Sequence, residues 1–532
     1  MPFPHADVLI LGSGLAGLST AVNCRREGLH VLVCSKSHPG IGSCSAISQG
    51  YFRACTDTFT LTEHKRITLQ AGKGLNDLDK VENLATNAAQ DVLDLQNFGI
   101  PLEVRAKGYD CQAQKLGQEG LCITKPMTKY AKSLGVSFHS PFFAWRIAVQ
   151  NDRAIGVWGF EPGSNQPRLL TSRCVIFATG GAGAIYAHTD NPQGMIGDGF
   201  ALGLAAGLPL MDMEFVQFYP LCTGKGRTKR VLPSLLGEVG ILENVHGEDI
   251  VSKYSIQPRP LARAARDELC QAMAMEAEAG LTFSDGKLRL RVQQKDSVWQ
   301  KAQEMFGLHQ IDAIKSWTDQ LIAVHRGNIP VRPAAHFFMG GIATRADGGS
   351  SSLQGFFAVG EVAGGLHGAN RLGGNALAET VVFGRISAAG ATQVVKNLQD
   401  PNWSKLEIPA QYLNTPVTNQ ELNYSSLRFE LQKLLWRDAG IIRSAKSLRR
   451  ALQELDDLAE RIERHTASSR HWIKALELAN MLLVAQTIIR AALARVESRG
   501  SHYRSDYPDT DQAWNKHIFQ RLEDKRLRLD WN

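Results

Sequence analysis

A cluster of polar and cationic side chains lies late in the chain, in His367-Gly-Ala-Asn370-Arg371-Leu-Gly-Gly-Asn375-Ala-Leu377. An arginine there offers a planar fork for a carboxylate. The small residues around it let backbone approach a flat ligand. The stretch follows Gly355-Phe-Phe-Ala-Val-Gly360-Glu361, which reads as a strand ending at a ligand. A carboxylate site and a cofactor site are therefore expected side by side. A second glycine-rich element opens the chain: Asp7-Val-Leu-Ile-Leu11, then Gly12-Ser-Gly14-Leu-Ala-Gly17. A strand, this turn and a helix from Leu18 to Glu27 form the dinucleotide fingerprint. Its glycines permit the turn and bring backbone N–H groups to a pyrophosphate at a helix N-terminus. The second strand, His30 to Cys34, ends at Ser35-Lys36 instead of an acidic residue for a ribose, which disfavours NAD. Ala178-Thr179-Gly180-Gly181 closes another strand with glycines at its carboxyl end. Asn191 to Gly199 leads into a helix with Asp198 near its start, as a cap or as a ligand contact.

These residues must be held by a long chain. At 532 residues, several domains are expected. Apolar spacing predicts a helix from about 80 to 100, and strands recur between 137 and 177. The segment 219–332 loses the parallel-strand rhythm and reads as an inserted α+β domain. Strand and glycine patterns return at 333 and end near 400. Pro401 to Thr418 reads as a linker, and Leu427 to His517 as almost wholly helical, within a separate helical domain at 413–532. The predicted fold is α/β: a split doubly wound, Rossmann-like domain (1–218 and 333–400) with a capping insert and a C-terminal helical domain.

Composition is that of a globular protein, 44% apolar and 21% charged, with a formal net charge of +7. Basic residues are dispersed apart from Lys225-Gly-Arg-Thr-Lys-Arg230 and the C-terminal helices, with no aromatic-basic module, so no nucleic-acid partner is expected. The nine cysteines contain no Cys-x-x-Cys pair, which argues against a metal or iron–sulfur site in this chain and for reduced thiols in a cytoplasm. No signal peptide is read at the N-terminus, and no segment of roughly 18 uncharged apolar residues is read. Membrane association is expected only through a partner.

In the order of its motifs the chain resembles the flavoprotein subunits of succinate dehydrogenase and fumarate reductase and L-aspartate oxidase. The glycine turn at 12–17, Ser35-Lys36, Ala178 to Gly181, Gly197-Asp198-Gly199 and Glu214-Phe-Val-Gln-Phe218 carry it. So do Ala265-Arg266-Asp267, His336 to Gly341, Gly360-Glu361, His367 to Asn375, and Glu497 to Pro508. The resemblance implies FAD, a cap closing over its ring, and hydride transfer between flavin N5 and a carbon beside a carboxylate. It implies that His336 and Arg371 bind a substrate carboxylate and that Arg266 moves the proton. Cofactor contacts are implied at Gly12, Gly14, Gly17, Ser35, Lys36, Ser43, Ser45, Gln49, Thr179, Gly180, Asp198, Gly360, Glu361, Asn375 and Leu377.

The departures bear on the substrate. Fumarate reductases follow the Gln-Phe pair with His-Pro-Thr; here Tyr219-Pro220-Leu221 stands instead. Leu232 takes the place of a carboxylate-binding threonine, and Pro233 and Leu236 replace a relay glutamate and arginine. One carboxylate end is thus kept and the other is expected to be apolar. That fits a monocarboxylate enoate, or a dicarboxylate held by Tyr219, Lys225, Arg227 or Arg230. Gly42-Ser43-Cys44-Ser45 stands where relatives carry a flavin-linking histidine, so FAD is expected to be noncovalent, with a cysteinyl link through Cys44 as the alternative. An L-aspartate oxidase-type enzyme and a noncatalytic flavin relay are the other readings. An iron–sulfur or other electron-transfer subunit is the expected partner.

Overall fold

Strong strand formers separated by glycine turns produce a parallel sheet at the N-terminus. The structure, a computed structural model, describes residues 5–115, 117–164, 166–224, 230–306, 311–401, 423–463, 472–524 and 526–531. Lys225, Arg227, the Arg230 side chain and nearly all of the 401–418 segment lie outside the described residues. The first strand is β1 (Ala6–Leu11), followed by β2 (Val31–Cys34) and β3 (Ser137–His139). Next come β4 (Phe143–Gln150), β5 (Arg153–Phe160) and β6 (Arg168–Phe177). Strands β7 (Val216–Thr223), β8 (Asn328–Phe338) and β9 (Phe356–Ala358) complete the set that frames the site. Five strands run parallel in the order β3, β2, β1, β6, β9. Strand β6 is shared: its first residues pair antiparallel with β5, which pairs with β4.

Both sheet faces are covered, as a parallel sheet requires. Val8, Ile10, Val31, Val33 and Ile176 point into one core with α1 (Leu15–Arg26) and the later helix α4 (Asn375–Asn397). Leu9, Leu11, Val175 and Phe177 point into the other. That second core continues through α2 (Asp198–Ala205) into α5 (Tyr424–Asp438), α6 (Ala445–Glu463) and α7 (Trp472–Ala494). The C-terminal helices therefore share a core with the sheet. Helix α7 is long and apolar enough to cross a membrane by length and composition, a feature the sequence reading did not register. Its apolar residues, among them Met481, Val484, Ile488 and Ile489, are buried in that core.

The predicted helix does not run to His517. Helix α7 ends at Ala494, and the chain closes in a hairpin of Ile518–Glu523 and Arg526–Trp531 that pairs with Leu210–Met211. Charges in this stretch form buried ion pairs. Arg495 and Glu497 are fully buried, and Arg495 Nε donates to Glu214 Oε1 at 2.5 Å.

Strands β7 and β8 leave the main body as an antiparallel pair, from Val216 opposite Phe338 to Cys222 opposite Arg332. Further out they join Leu288–Val292 and Gly240–Glu243 in a five-stranded sheet. With α3 (Arg266–Glu278) this sheet forms its own apolar core of Leu221, Leu232, Leu269, Leu290 and Val331. The β7–β8 register shifts on either side of Phe218-Tyr219. Such bulges bend a strand and re-aim its side chains next to a site.

Candidate active site and cofactor cleft

A cavity of about 620 Å³ runs from the first glycine turn to the β7–β8 strands and α3. Of the expected residues, Gly12, Gly14, Ser35, Lys36, Ser43, Ser45, Gln49, Thr179, Gly180, Asp198, Glu361 and Leu377 line it, as do Tyr219, Arg266, His336 and Arg371. Gly12 has φ +110, and a Cβ there would collide with the Ala178 carbonyl, so the turn needs glycine twice over. Ser45 Oγ accepts from Leu15 N at 3.1 Å, which pins the 42–49 loop to the start of α1. Thr179 Oγ1 is buried with no hydrogen-bond partner among the described residues.

Three expected cofactor contacts do not line the cavity. Gly17 faces the Gly12 carbonyl and lets α1 pack on the turn. Gly360 packs on Ala16 at φ +74. The Asn375 amide turns inward, with Oδ1 3.0 Å from His64 Nε2 and Nδ2 donating to Thr68 Oγ1. All three hold the frame of the cleft. Asp198 is not a helix cap: α2 is capped by Gly197 with no side-chain bond. The Asp198 carboxylate pairs with Lys36 and accepts from Asn480 Nδ2 at 2.8 Å, while Lys36 Nζ also meets Glu477 Oε1 at 2.8 Å. Glu477, from α7, lines the cleft and was missed, because its partners lie hundreds of positions away in sequence.

The other end gathers cations around one amide. Gln217 is fully buried on β7. Its Oε1 accepts from Arg266 Nη1 at 2.5 Å and from Arg371 Nη2 at 2.9 Å. Its Nε2 donates to Asn370 Oδ1 at 2.6 Å and to the Arg371 carbonyl at 3.0 Å. Arg371 lies 4.4 Å from the centre of the Phe337 ring, and its Nε has no hydrogen-bond partner among the described residues. Burial, with Arg266 beside it, pushes the Arg371 guanidinium down to about 9. Among the described residues neither guanidinium makes an ion pair with a carboxylate, although Glu361, Glu379 and Asp190 favour the charge of Arg371 and Asp267 that of Arg266, and the two together form a ready carboxylate site. Gln217 was visible only as part of a motif, and its bridging role needed the fold.

Tyr219 is turned away from proton chemistry. Its hydroxyl donates to the Leu232 carbonyl at 3.1 Å, and burial raises its pKa. The ring instead packs 5.5 Å from His336 and 5.5 Å from the Arg266 guanidinium. Leu232 is fully buried in the apolar core under this sheet and does not line the cavity. The end expected to be apolar is lined by Tyr219 and Val231 but also by Ser234 and Arg263. Arg263 Nε donates to Ser234 Oγ at 2.9 Å, and its guanidinium sits 5.4 Å from the Tyr51 ring. His336 Nδ1 lies 2.6 Å from Asp190 Oδ2. Burial of the ring, offset in part by Asp190, holds the imidazole below its ordinary pKa.

Residues 7–377 match the FAD binding domain family, and residues 428–532 match the fumarate reductase flavoprotein C-terminal family. The chain belongs to the fumarate reductase and succinate dehydrogenase flavoprotein family. It is 31% identical to a subunit of the fumarate reductase (CoM/CoB) of Methanothermobacter marburgensis, over 97% of this chain and 96% of that one. It is also 31% identical to an uncharacterized FAD-dependent oxidoreductase of Methanocaldococcus jannaschii, over 99% and 98%. The FrdA chain of E. coli quinol fumarate reductase superposes with a TM-score of 0.85 at 26% identity, covering 99% of this chain and 96% of that one. As a member of this family the protein is an FAD-dependent oxidoreductase of the class that acts on CH–CH bonds. The cleft fits the cofactor. The Gly12 turn opens backbone to a pyrophosphate, and the Thr179 hydroxyl, buried with no partner among the described residues, is free to bond a ligand.

Proposed function

We propose that this flavoprotein catalyses hydride transfer between FAD and a carbon adjacent to a carboxylate, on a small substrate with a second anionic group. The observation that carries this reading is the Gln217 amide, which holds the Arg266 and Arg371 guanidiniums together in the cavity. When bound, FAD supplies a two-electron hydride acceptor or donor. Arg371 grips one carboxylate, and its charge with that of Arg266 stabilises the enolate-like charge on the reacting carbons. Arg263 and Ser234 meet the second anion, in place of the histidine and threonine that the family places there. An unpaired buried carboxylate would cost several kcal/mol, so this end needs a cation. The substrate domain is the 219–332 insert, which brings Tyr219, Ser234, Arg263 and Arg266 over the split nucleotide domain (1–218 and 333–400). The chain from 413 onward backs the cleft with Glu477.

FAD is held without a covalent bond in this reading. Cys44 lines the cavity, and its thiol is held above the ordinary range by burial, which disfavours the thiolate that a cysteinyl link needs. Electrons enter or leave through a separate redox protein, for which an iron–sulfur subunit is the fitting class. We place the protein in the cytoplasm, at a membrane only through such a partner. The test is flavin reoxidation: reduce the FAD-loaded protein anaerobically, then add fumarate, crotonate or cinnamate. Fumarate should reoxidise the flavin at least tenfold faster than either monocarboxylate. Reoxidation by crotonate or cinnamate alone would return the second end to the apolar reading. Reoxidation by none of them would sink the proposal, and reduction of the oxidised flavin by L-aspartate would move the protein to the amino-acid oxidases.

A further inference from the structure

We propose that Asp267 is a positioning residue for the substrate end: through the side-chain amides of Asn370 and Gln217 it fixes the seat from which Arg266 and Arg371 take a carboxylate. The inference rests on the carboxylate reading of the cavity and extends the site to residues that do not line it. Their side chains stand in series. Asp267 Oδ2 accepts from Asn370 Nδ2. Asn370 Oδ1 accepts from Gln217 Nε2 at 2.6 Å. Gln217 Oε1 accepts from Arg266 Nη1 at 2.5 Å and from Arg371 Nη2 at 2.9 Å. Arg266 and Asp267 open α3, so the series starts and ends on one helix and ties the insert to the 367–371 loop. The backbone of that loop is anchored separately. Ala369 N donates to the Gly72 carbonyl at 2.9 Å, and the Ala369 carbonyl accepts from Ser501 N at 3.1 Å.

The end groups decide the direction of every bond. An ionised carboxylate only accepts, and a guanidinium only donates. Two amides between them satisfy both ends in one orientation. Gln217 spends both lone pairs on the arginines and its second N–H on the Arg371 carbonyl at 3.0 Å. Turned over, it would set its NH₂ against two guanidiniums. Asn370 keeps its oxygen toward Gln217 because Asp267 holds its Nδ2. Hydrogen bonds in series polarise one another, so a charge two amides away strengthens the bonds that Gln217 accepts. The carboxylate thus acts on both guanidiniums and leaves their forks to the substrate.

The sign of the effect on substrate separates two roles for this acid. A carboxylate that acted only through space would repel an incoming dianion, and its loss would tighten binding. A carboxylate that orders the arginine seat does the opposite. Burial pushes the Asp267 carboxyl up to about 6, against the pull of Arg266 and Lys73. The groups facing it are Arg266, Glu268 and Cys270 on α3, Lys73 just after the helix Leu61–Gly72, and the Asn370 amide. Asp267 is therefore ionised, and the series held in one direction, above about pH 6. Below that the protonated acid can also donate, and the direction is no longer enforced.

The test uses the FAD-loaded full chain with its flavin oxidised, which binds fumarate without turning it over. Flavin absorbance reads the Kd. Where Asp267 is ionised, Asp267→Asn should raise that Kd by about tenfold at unchanged flavin content. The gap should close as pH falls through about 6, where wild-type Asp267 gains its proton, because every other titrating group is common to both proteins. Asn370→Ser cuts the series, so Asp267→Asn added to it should change nothing further. Equal or tighter binding in Asp267→Asn, or additive losses in the double variant, would overturn the proposal. If Asn370→Ser loses its flavin, the pH gap decides. A second arm needs no substrate. The Asn370 side-chain amide, located in ¹⁵N–¹H spectra by its loss in Asn370→Ser, should shift with pH in the wild type and stay still in Asp267→Asn. A wild-type amide that ignores pH would break the link between the two residues. Fumarate binding to none of these proteins would defeat the proposed function and leave the spectra to decide Asp267.

Discussion

At the scale of single residues, the substrate end sets Arg266 and Arg371 on one neutral amide, with no carboxylate ion-paired to either among the described residues. Arg371 is the sharpest case, since it is buried, stacked on Phe337 and bound to the neutral Gln217 amide. Arg371→Lys keeps the charge but loses the fork, and turnover should fall by about 10²- to 10³-fold. Bound FAD, counted as flavin per protein by absorbance, should not change. Arg263→Ala should raise the KM for fumarate by about tenfold or more and leave any monocarboxylate activity nearly as it was. Equal losses on both substrate types would mean that Arg263 supports the fold of the site instead. The residue types here were readable from the chain, because a lone arginine among glycines has few structural uses. Asp190, Gln217, Arg263 and Glu477 were not readable as site residues. Each acts through a partner that only the fold brings near.

At the scale of elements, the glycine turn and the C-terminal segment contrast. The turn follows from local sterics, so the strand–turn–helix pattern predicted its place. The C-terminal segment does not follow from pattern: residues 495 to 517 read as the end of a helical stretch, yet partners of their charges lie in other elements. Arg495 reaches Glu214 beside β7, Glu497, and the carbonyls of Trp514 and Lys516. Each ion pair there replaces contacts with water that an exposed helix would have kept. Arg495→Met should cost about 3–5 kcal/mol, because Glu214 would be left buried with its charge unpaired. Denaturant unfolding measures it. A loss below about 1 kcal/mol would show that water reaches the cluster.

At the scale of the whole molecule, one cavity joins parts of the chain that are far apart in sequence. Strands β7 and β8 carry Gln217, Tyr219 and His336 out of the main body into the second sheet, so movement of that sheet would change the distance between cations and cofactor. Two buried guanidiniums repel each other until a carboxylate arrives. A saturating dicarboxylate such as malonate should therefore stabilise the FAD-loaded protein, by about 2.7 kcal/mol at a hundred times its Kd. Differential scanning calorimetry would read this as a rise in Tm. Arg371→Met should raise the ligand-free Tm by relieving the repulsion and abolish the malonate shift. A malonate shift that persists in this variant would place the carboxylate elsewhere.

The sequence alone determined what depends on neighbours in the chain. Gly12, Gly14 and Gly17 specify a phosphate-binding turn through backbone sterics, and the apolar runs at β1, β2 and β6 specify strands buried on both faces. The ordered motifs identified the cofactor class. Tertiary structure decided what depends on distance in space. It turned Asn375 and Tyr219 away from the roles expected for them, put Arg263 at an end that had read as apolar, and paired Asp190 with His336. It also buried the charges of Arg495 and Glu497 in a stretch that had read as helix. A hydrogen bond or ion pair between residues a hundred or more positions apart leaves no periodic trace in the chain, because nothing in local spacing records which partner the fold will bring within about 3 Å.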